Sequence, residues 1–277
     1  MREANSGGQV NIVVALACEA RPLITHFKLK RQSAEAGFAM YTNNQGINLL
    51  VSGMGNLAMA TACGFLAGKQ STAYGEKSAW LNIGIAGHQH VAIGEILIVH
   101  KVIDSDSSNT YYPPLMLEIE CKTTSLISAQ APEGQYVDDS AYDMEAAAFY
   151  KAASRFATSE LVQIAKIVSD NRGCPTEHIT ETKIQNWISE NVAVIGEMVQ
   201  QLLQYSEDYN VVYSLPEEYR TISKKVHLTA SQKTRLAGLY RRFYALGGSE
   251  LIRELNTKDY VSAKSLIRTI ELLIESL

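Results

Sequence analysis

The sequence contains little cysteine, and its cysteines show no pattern for joint use. Cys18, Cys63, Cys121 and Cys174 lie far apart, without a CxxC pair. This spacing is typical of reduced thiols in a cytoplasmic protein and not of a disulfide framework or a zinc site. We therefore expect a cytoplasmic location and no metal.

Long apolar runs, strong net charge and repeats are also missing. No apolar run approaches the roughly 20 residues that a membrane-spanning helix needs, and residues 1–9 are polar, without the apolar core of a signal peptide. The net charge of −4 is small, so it indicates neither a nucleic-acid nor a membrane partner. The sequence shows no internal repeat or low-complexity segment.

The composition and the apolar pattern predict an α/β fold. The chain has 277 residues, of which 46% are hydrophobic and 19% charged, which fits one large domain with or without a small addition. Nearly continuous apolar runs at residues 10–17 and 80–87 are typical of strands buried on both faces. Further strands are predicted at residues 38–43, 47–52, 93–99, 115–120, 122–127 and 161–168, and helices at residues 57–67, 144–155 and 181–205.

The last part of the chain differs in character. In residues 206–277 Lys and Arg outnumber Asp and Glu, the reverse of the whole chain. Helices are predicted at residues 230–246, 249–255 and 260–275. Arg241 and Arg242 lie among aromatic residues, a pattern that fits an amphipathic helix better than a nucleic-acid patch. We therefore predict two domains, residues 1–205 and a helical extension, residues 206–277.

Candidate site residues follow the predicted strands, where ligands bind in open α/β sheets. Glu19 and Arg21 follow the first strand, and Gly53, at a strand-to-helix turn, would let the backbone approach a ligand. Glu145 begins an alanine-rich helix, and Asp170 ends a later strand. Simpler interpretations stay open: Glu19 and Glu145 would each stabilise a helix start, Arg21 would be solvated, and Gly53 would only serve the turn.

Four stretches in this order resemble the nucleoside phosphorylase/nucleosidase superfamily. They are ALACEAR (residues 15–21), SGMG (residues 52–55), NIGIAG with IGEILIV (residues 82–87 and 93–99), and DMEAAA with VSD (residues 143–148 and 168–170). The superfamily includes purine nucleoside phosphorylases and methylthioadenosine/S-adenosylhomocysteine nucleosidases. The resemblance covers residues 10–204 and implies a three-layer αβα sandwich with a mixed central sheet, to which the C-terminal helical region is added.

The resemblance also implies roles for particular residues. Asp170 would protonate N7 of the leaving purine and Ser169 would orient it. Glu145 would bind the ribose hydroxyls and Met144 would pack under the sugar. The backbone at Ala86 and Gly87 would line the base.

The nucleophile distinguishes the two branches of the family. Asn82 and Ile85 stand where phosphorylases carry phosphate-binding groups, which favours water, activated by Glu19. Arg21 favours a phosphorylase instead, because an arginine in the first loop also binds phosphate in phosphorylases.

We therefore predict a nucleosidase for an adenosine-like nucleoside, without a cofactor and as a homo-oligomer. A phosphorylase with phosphate as co-substrate is the alternative within the family. A non-catalytic nucleoside-binding module that acts through its helical tail is the alternative of another class. The segment between Val99 and Asp143 is shorter than in typical methylthioadenosine nucleosidases, in which this region helps to form the base pocket and the dimer contact.

Overall fold

The chain forms two compact units. The computed structural model describes residues 7–32, 37–70, 76–131, 136, 138–174, 176–213, 215, 217–247, 255, 260 and 262–276. The first unit comprises residues 1–71 and 77–208, and the second comprises residues 72–76 and 209–277. The division between the units falls within a helix, shortly after the domain boundary that is predicted at residue 205.

The first unit is built from strands and helices, and several of the strands follow one another directly along the chain. Its strands are β1 (Val10–Val14), β2 (Lys30–Arg31), β3 (Ala39–Thr42), β4 (Ile47–Val51), β5 (Ala79–His88), β6 (Ile96–Asp104), β7 (Thr110–Tyr111), β8 (Lys122–Ser128), β9 (Ser140–Asp143) and β10 (Val162–Asp170). Its helices are α1 (Ala17–His26), α2 (Asn56–Gln70), α3 (Ala146–Ala153), α4 (Glu181–Glu190) and α5 (Val192–Tyr213), the last of which runs on into the second unit.

These strands form one mixed sheet that is partly closed. β1 lies between β4 and β5 and is parallel to both, and β3 and β2 continue the sheet beyond β4. One edge of β5 pairs with β10, while the end of its other edge pairs antiparallel with β9. Since β10, β6, β8 and β9 also pair in that order, they close a ring of five strands with β5. The predicted mixed sheet is confirmed, with a closed portion that no local sequence pattern indicates.

Helices cover the open part of the sheet on both faces. The chain moves from β1 to β4 in one direction and from β4 back past β1 to β5 in the other. Since such crossovers are right-handed, α1 and α2 lie on opposite faces. Every residue of β1 and of β10 is buried, as a strand covered on both sides requires. The predicted three-layer αβα arrangement is therefore confirmed.

Two predicted elements differ in the structure. The strand predicted at residues 115–120 is wrong, because side chains satisfy the main-chain groups there: Tyr205 donates to the Met116 carbonyl, and Gln201 exchanges two hydrogen bonds with Glu118. The single helix predicted at residues 181–205 is two helices. They part at Asn191, whose amide donates to the carbonyls of Gly94 and Trp187.

The second unit is helical. After the end of α5 it contains α6 (Glu217–Lys225), α7 (Ala230–Ala245) and α8 (Ala263–Glu275). Capping boxes begin α7 at Thr229 and α8 at Ser262, and the apolar faces share one core that includes Leu236. The predictions for α7 and α8 are confirmed, α6 was not predicted, and the helix predicted at residues 249–255 lies outside the described residues except at Leu255. No helix in the described part of the chain is long and apolar enough to cross a membrane.

Candidate active site

A cavity of about 250 Å³ opens at the carboxyl ends of β1, β5 and β10, beside the start of α3. This is where the strand order reverses around β1, the place where open α/β sheets bind ligands. The residues that line it are Ala15, Leu16, Glu19, Met54, Ile83, Gly84, Ile85, Ala86, Gly87, Ala131, Tyr142, Asp143, Met144, Glu145, Lys166, Ser169, Asp170, Thr176 and Ile179. Most of the predicted site residues therefore meet in one place.

Glu19 lies in the first turn of α1 and is almost fully buried. Its Oε2 accepts from the amides of Ala15 (3.0 Å) and Leu16 (2.8 Å), and its Oε1 accepts from the amide of Ile85 (3.1 Å). Burial raises the pKa of Glu19 to about 7, against the opposing effect of these amides and of Lys166. Glu19 thus stabilises the helix start and also presents a carboxyl group that can exchange protons near neutral pH.

Lys166 in the middle of β10 is a buried cation. Its Nζ lies 2.8 Å from Asp143 Oδ2, with both side chains almost completely shielded from solvent. Burial acts to lower the pKa of Lys166, but the neighbouring carboxylates, Asp143 first, outweigh it and the pKa is raised. A Cβ on Gly84 would lie 3.1 Å from Glu19 Oε1 and 3.2 Å from Lys166 Nζ. Glu19 and Lys166 therefore face the same stretch of β5 backbone, where glycine leaves them room.

Glu145 and Met144 come between β9 and α3. Glu145 Oε1 accepts a 2.6 Å hydrogen bond from the amide of Gly55, at the turn before α2. Burial, followed by the charge of Asp143, raises the pKa of Glu145. Asp143 accepts from the amide of Ala146 at 2.9 Å, so it holds the start of α3. The pair Met144 and Glu145 is thereby presented to the cavity.

Asp170 ends β10 on the side of the cavity formed by Ala86 and Gly87. Ser169 donates to its Oδ1 at 2.5 Å, and the hydroxyl of Tyr136 donates to its Oδ2. Burial raises the pKa of Asp170 to about 6. The side chain can therefore carry a proton at mildly acidic pH, as a catalytic acid requires.

Two predicted site residues lie elsewhere. Arg21 is exposed, with its guanidinium 3.8 Å from Glu181. Gly53 has φ of +87° and donates its amide to the Ala15 carbonyl at 3.1 Å, so it serves a tight turn, while the next residue, Met54, lines the cavity. The structure does not bring Arg21 or Gly53 to the cavity. In the described residues, no group of three or more His, Cys, Asp or Glu side chains could hold a metal ion.

Comparison with known proteins identifies the fold. No protein-family model matches the sequence, and no curated protein matches it. Futalosine hydrolase of Helicobacter pylori has a similar structure, with TM-score 0.59 and 13% identity, over 72% of this chain and 100% of that one. A methylthioadenosine/S-adenosylhomocysteine nucleosidase from Colwellia psychrerythraea, in complex with adenine, has TM-score 0.57 and 19% identity, over 71% and 96%. Methylthioadenosine nucleosidase of Arabidopsis thaliana has TM-score 0.57 and 18% identity, over 72% and 96%. The chain has the nucleosidase fold.

Two residues of this site in the nucleosidase fold were not predicted: Lys166, which lines the cavity, and Tyr136, which contacts Asp170 from outside the lining. Lys166 interrupts an apolar strand that is buried on both faces, and a lysine there requires an acidic partner. That signal was present in the sequence, but it did not name Asp143. Tyr136 comes from the segment between β8 and β9, and nothing local indicates that its hydroxyl reaches Asp170.

Proposed function

We propose that this protein is a purine-type nucleosidase that hydrolyses the N-glycosidic bond of an adenosine-like nucleoside. The observation that carries the proposal is the convergence of three buried carboxyl groups, Asp170, Glu145 and Glu19, on one cavity of the nucleosidase fold. Each carboxyl group has one role in the proposed reaction: Asp170 protonates the purine, Glu145 binds the sugar and Glu19 activates the water.

At the base, protonated Asp170 donates its proton to N7 as the bond between the sugar C1′ and the purine N9 breaks. The electron pair of that bond stays on the purine, which leaves as a neutral base. With a pKa of about 6 for Asp170, this role is lost as the pH rises and the side chain becomes a carboxylate. Ser169, which holds Oδ1, keeps the acid oriented.

At the sugar, the carboxylate of Glu145 would accept hydrogen bonds from the ribose hydroxyls. Its Oε1 is fixed by the Gly55 amide, so Oε2 is the oxygen directed to the ligand. A carboxylate also stabilises the positive charge that develops on the sugar as the base departs. Met144, beside it in the cavity, provides the apolar surface for the sugar ring.

Water is the nucleophile that the charges favour. Among the described residues that line the cavity, Lys166 is the only one with a cationic side chain, and it shares that lining with Asp143, Glu145, Glu19 and Asp170. This excess of carboxyl groups repels a phosphate dianion, and Arg21 lies at the surface. Glu19 takes a proton from water as the oxygen of that water bonds to C1′. Lys166 lies on the same side of Gly84 as Glu19 and helps to hold the water molecule.

Release of the purine base from a panel of nucleosides tests the proposal. The panel contains methylthioadenosine, S-adenosylhomocysteine, 5′-deoxyadenosine and adenosine, each with and without phosphate. We expect base release that does not depend on phosphate. Release that strictly requires phosphate would establish the phosphorylase alternative, and tight binding without any release would establish the binding module.

The same proposal covers the partners of the enzyme. The groups that protonate the purine, activate the water and bind the sugar are all side chains of one cavity, so the reaction needs no cofactor. Activity that survives dialysis against a chelator tests this.

We further propose a homo-oligomer, because Met54 at the cavity and Leu57 nearby are 68% and 83% exposed, and a second copy would cover these apolar side chains. Light scattering measures that state. The cytoplasmic location stays a prediction.

A further inference from the structure

Tyr136 is buried next to Asp170, outside the cavity lining, and has no role in the proposed mechanism. Only 1% of its surface is exposed. Its ring packs against Tyr142 with the ring centroids 5.5 Å apart, and its carbonyl accepts a 2.9 Å hydrogen bond from Arg172. Its hydroxyl donates to Asp170 Oδ2. Contacts on the ring, the main chain and the hydroxyl therefore hold this side chain against the proposed acid.

The Tyr136 hydroxyl also lies against Gly87, whose backbone lines the part of the cavity where the base is proposed to bind. A Cβ added to Gly87 would be 2.5 Å from Tyr136 Oη and 2.7 Å from Asp170 Oδ2. Any other residue at position 87 would thus push both groups aside. The backbone at Gly87, the hydroxyl and the carboxyl group form one compact cluster, so a purine bonded to Asp170 Oδ2 would lie next to the Tyr136 hydroxyl.

Asp170 bonds to N7 through one of its oxygens, and each oxygen already accepts a hydrogen bond. Its Oδ1 is bound by Ser169 and its Oδ2 by Tyr136. Ser169 belongs to the fully buried strand β10, and its hydroxyl is also 3.3 Å from the Ala86 carbonyl, so the bond to Oδ1 is built into the sheet. Oδ2 is therefore the oxygen that is left for N7, and the hydrogen bond from Tyr136 is the one that competes with the base for it.

We propose that Tyr136 is a positioning residue whose hydroxyl holds Asp170 Oδ2 in the empty pocket and is replaced there by N7 of the purine. This inference rests on the proposed function. While the hydroxyl is in place, it favours the carboxylate form of Asp170, since a donated hydrogen bond stabilises the charged state. It thereby competes with the base in two ways, for the oxygen and for the proton.

The variant Tyr136→Phe tests this, with Tyr205→Phe as the matched control. Tyr205 loses a hydroxyl that donates to the Met116 carbonyl, outside the cavity lining. In Tyr136→Phe the upper limb of the kcat/KM pH profile should move up by about one pH unit, because Asp170 loses a hydrogen bond to its charged form. Binding of free adenine, measured by calorimetry, should tighten by about threefold to tenfold. The other titratable or charged groups around the site are unchanged in this variant: Glu19 on α1, His88 on β5, Tyr142 and Asp143 on β9, Glu145 before α3, Lys166 on β10, and Asp138, Asp139 and Arg172 beside them.

The outcomes separate this inference from the proposed function. Base release by the wild type, together with an unchanged pH limb and unchanged adenine affinity in Tyr136→Phe, overturns the role of Tyr136 alone. Weaker adenine binding by a folded Tyr136→Phe also overturns it, because the hydroxyl would then assist the base. A wild type that neither releases base nor binds adenine overturns the proposed function and this inference with it.

Discussion

Glu19 carries a stability penalty that should appear as a pH dependence. Burial raises its pKa to about 7 in the folded protein, from the ordinary value of 4.5. The folded protein therefore retains a proton that the unfolded chain gives up between these values. It follows that the free energy of unfolding falls as the pH rises through this window.

The variant Glu19→Gln removes this titration. Integrating proton linkage for a shift from 4.5 to about 7 gives a wild-type loss of about 2.5 kcal/mol between about pH 5 and about pH 8. The glutamine side chain does not titrate. Replacing the carboxylate has a cost in stability, because the carboxylate accepts hydrogen bonds from three main-chain N–H groups and the amide NH2 group of glutamine cannot accept them. That cost does not depend on pH. The difference in unfolding free energy between variant and wild type should therefore move by about 2.5 kcal/mol in favour of the variant.

Urea unfolding of both proteins at a series of pH values measures this difference. The control is Thr61→Ala, at an exposed position where neither side chain titrates. The difference in unfolding free energy between this control and the wild type should not change with pH. A Glu19→Gln difference that stays constant from about pH 5 to about pH 8 would show that Glu19 is not held at a raised pKa. Turnover of the same variant reports separately on its proposed role with water.

Three further substitutions probe the site. Asp170→Asn should lower turnover by about 10² to 10⁴-fold, because the amide cannot protonate N7, while calorimetry should still detect adenine; wild-type turnover would refute the assignment. Lys166→Met should lower the unfolding free energy by about 3–5 kcal/mol, since it leaves Asp143 buried without its cation. Adding Asp143→Asn should recover part of this loss in urea unfolding, and strict additivity would contradict the pairing. Gly87→Ala should lower kcat/KM because its methyl group would collide with the acid; unchanged kinetics would show that the base binds elsewhere.

The acidic residues of the site could be predicted because each follows a strand or begins a helix. Glu19 follows β1, Glu145 precedes α3 and Asp170 ends β10. The carboxyl ends of parallel strands share one edge of a sheet, so the convergence of Glu19 and Asp170 follows from the order of the elements. Glu145 follows β9, which is antiparallel to β5, and it reaches the cavity because β9 pairs with the end of β5. Arg21 follows the same rule in sequence, but it is solvent-exposed and close to Glu181. Two positions in one helix turn can face opposite sides, which local sequence does not distinguish.

Other features depend on contacts between distant parts of the chain. The hydroxyl of Tyr136 reaches Asp170 across 34 positions of sequence, and the ring of five strands requires β5 to pair with both β9 and β10. The extended stretch at residues 115–120 is not a strand, because Gln201 and Tyr205 from α5 bind its main chain. None of these partners has a signal near the residue that it binds.

The sequence by itself determined the mixed α/β fold, the helical extension and the three carboxyl groups of the cavity, because burial and strand ends leave periodic and local marks. The tertiary structure alone decided which charges neutralise one another and which groups touch the acid. The pairing of Lys166 with Asp143 and the bond from Tyr136 to Asp170 arise only when the sheet closes. Electrostatic energies depend on distance and burial, and neither exists until the chain is folded.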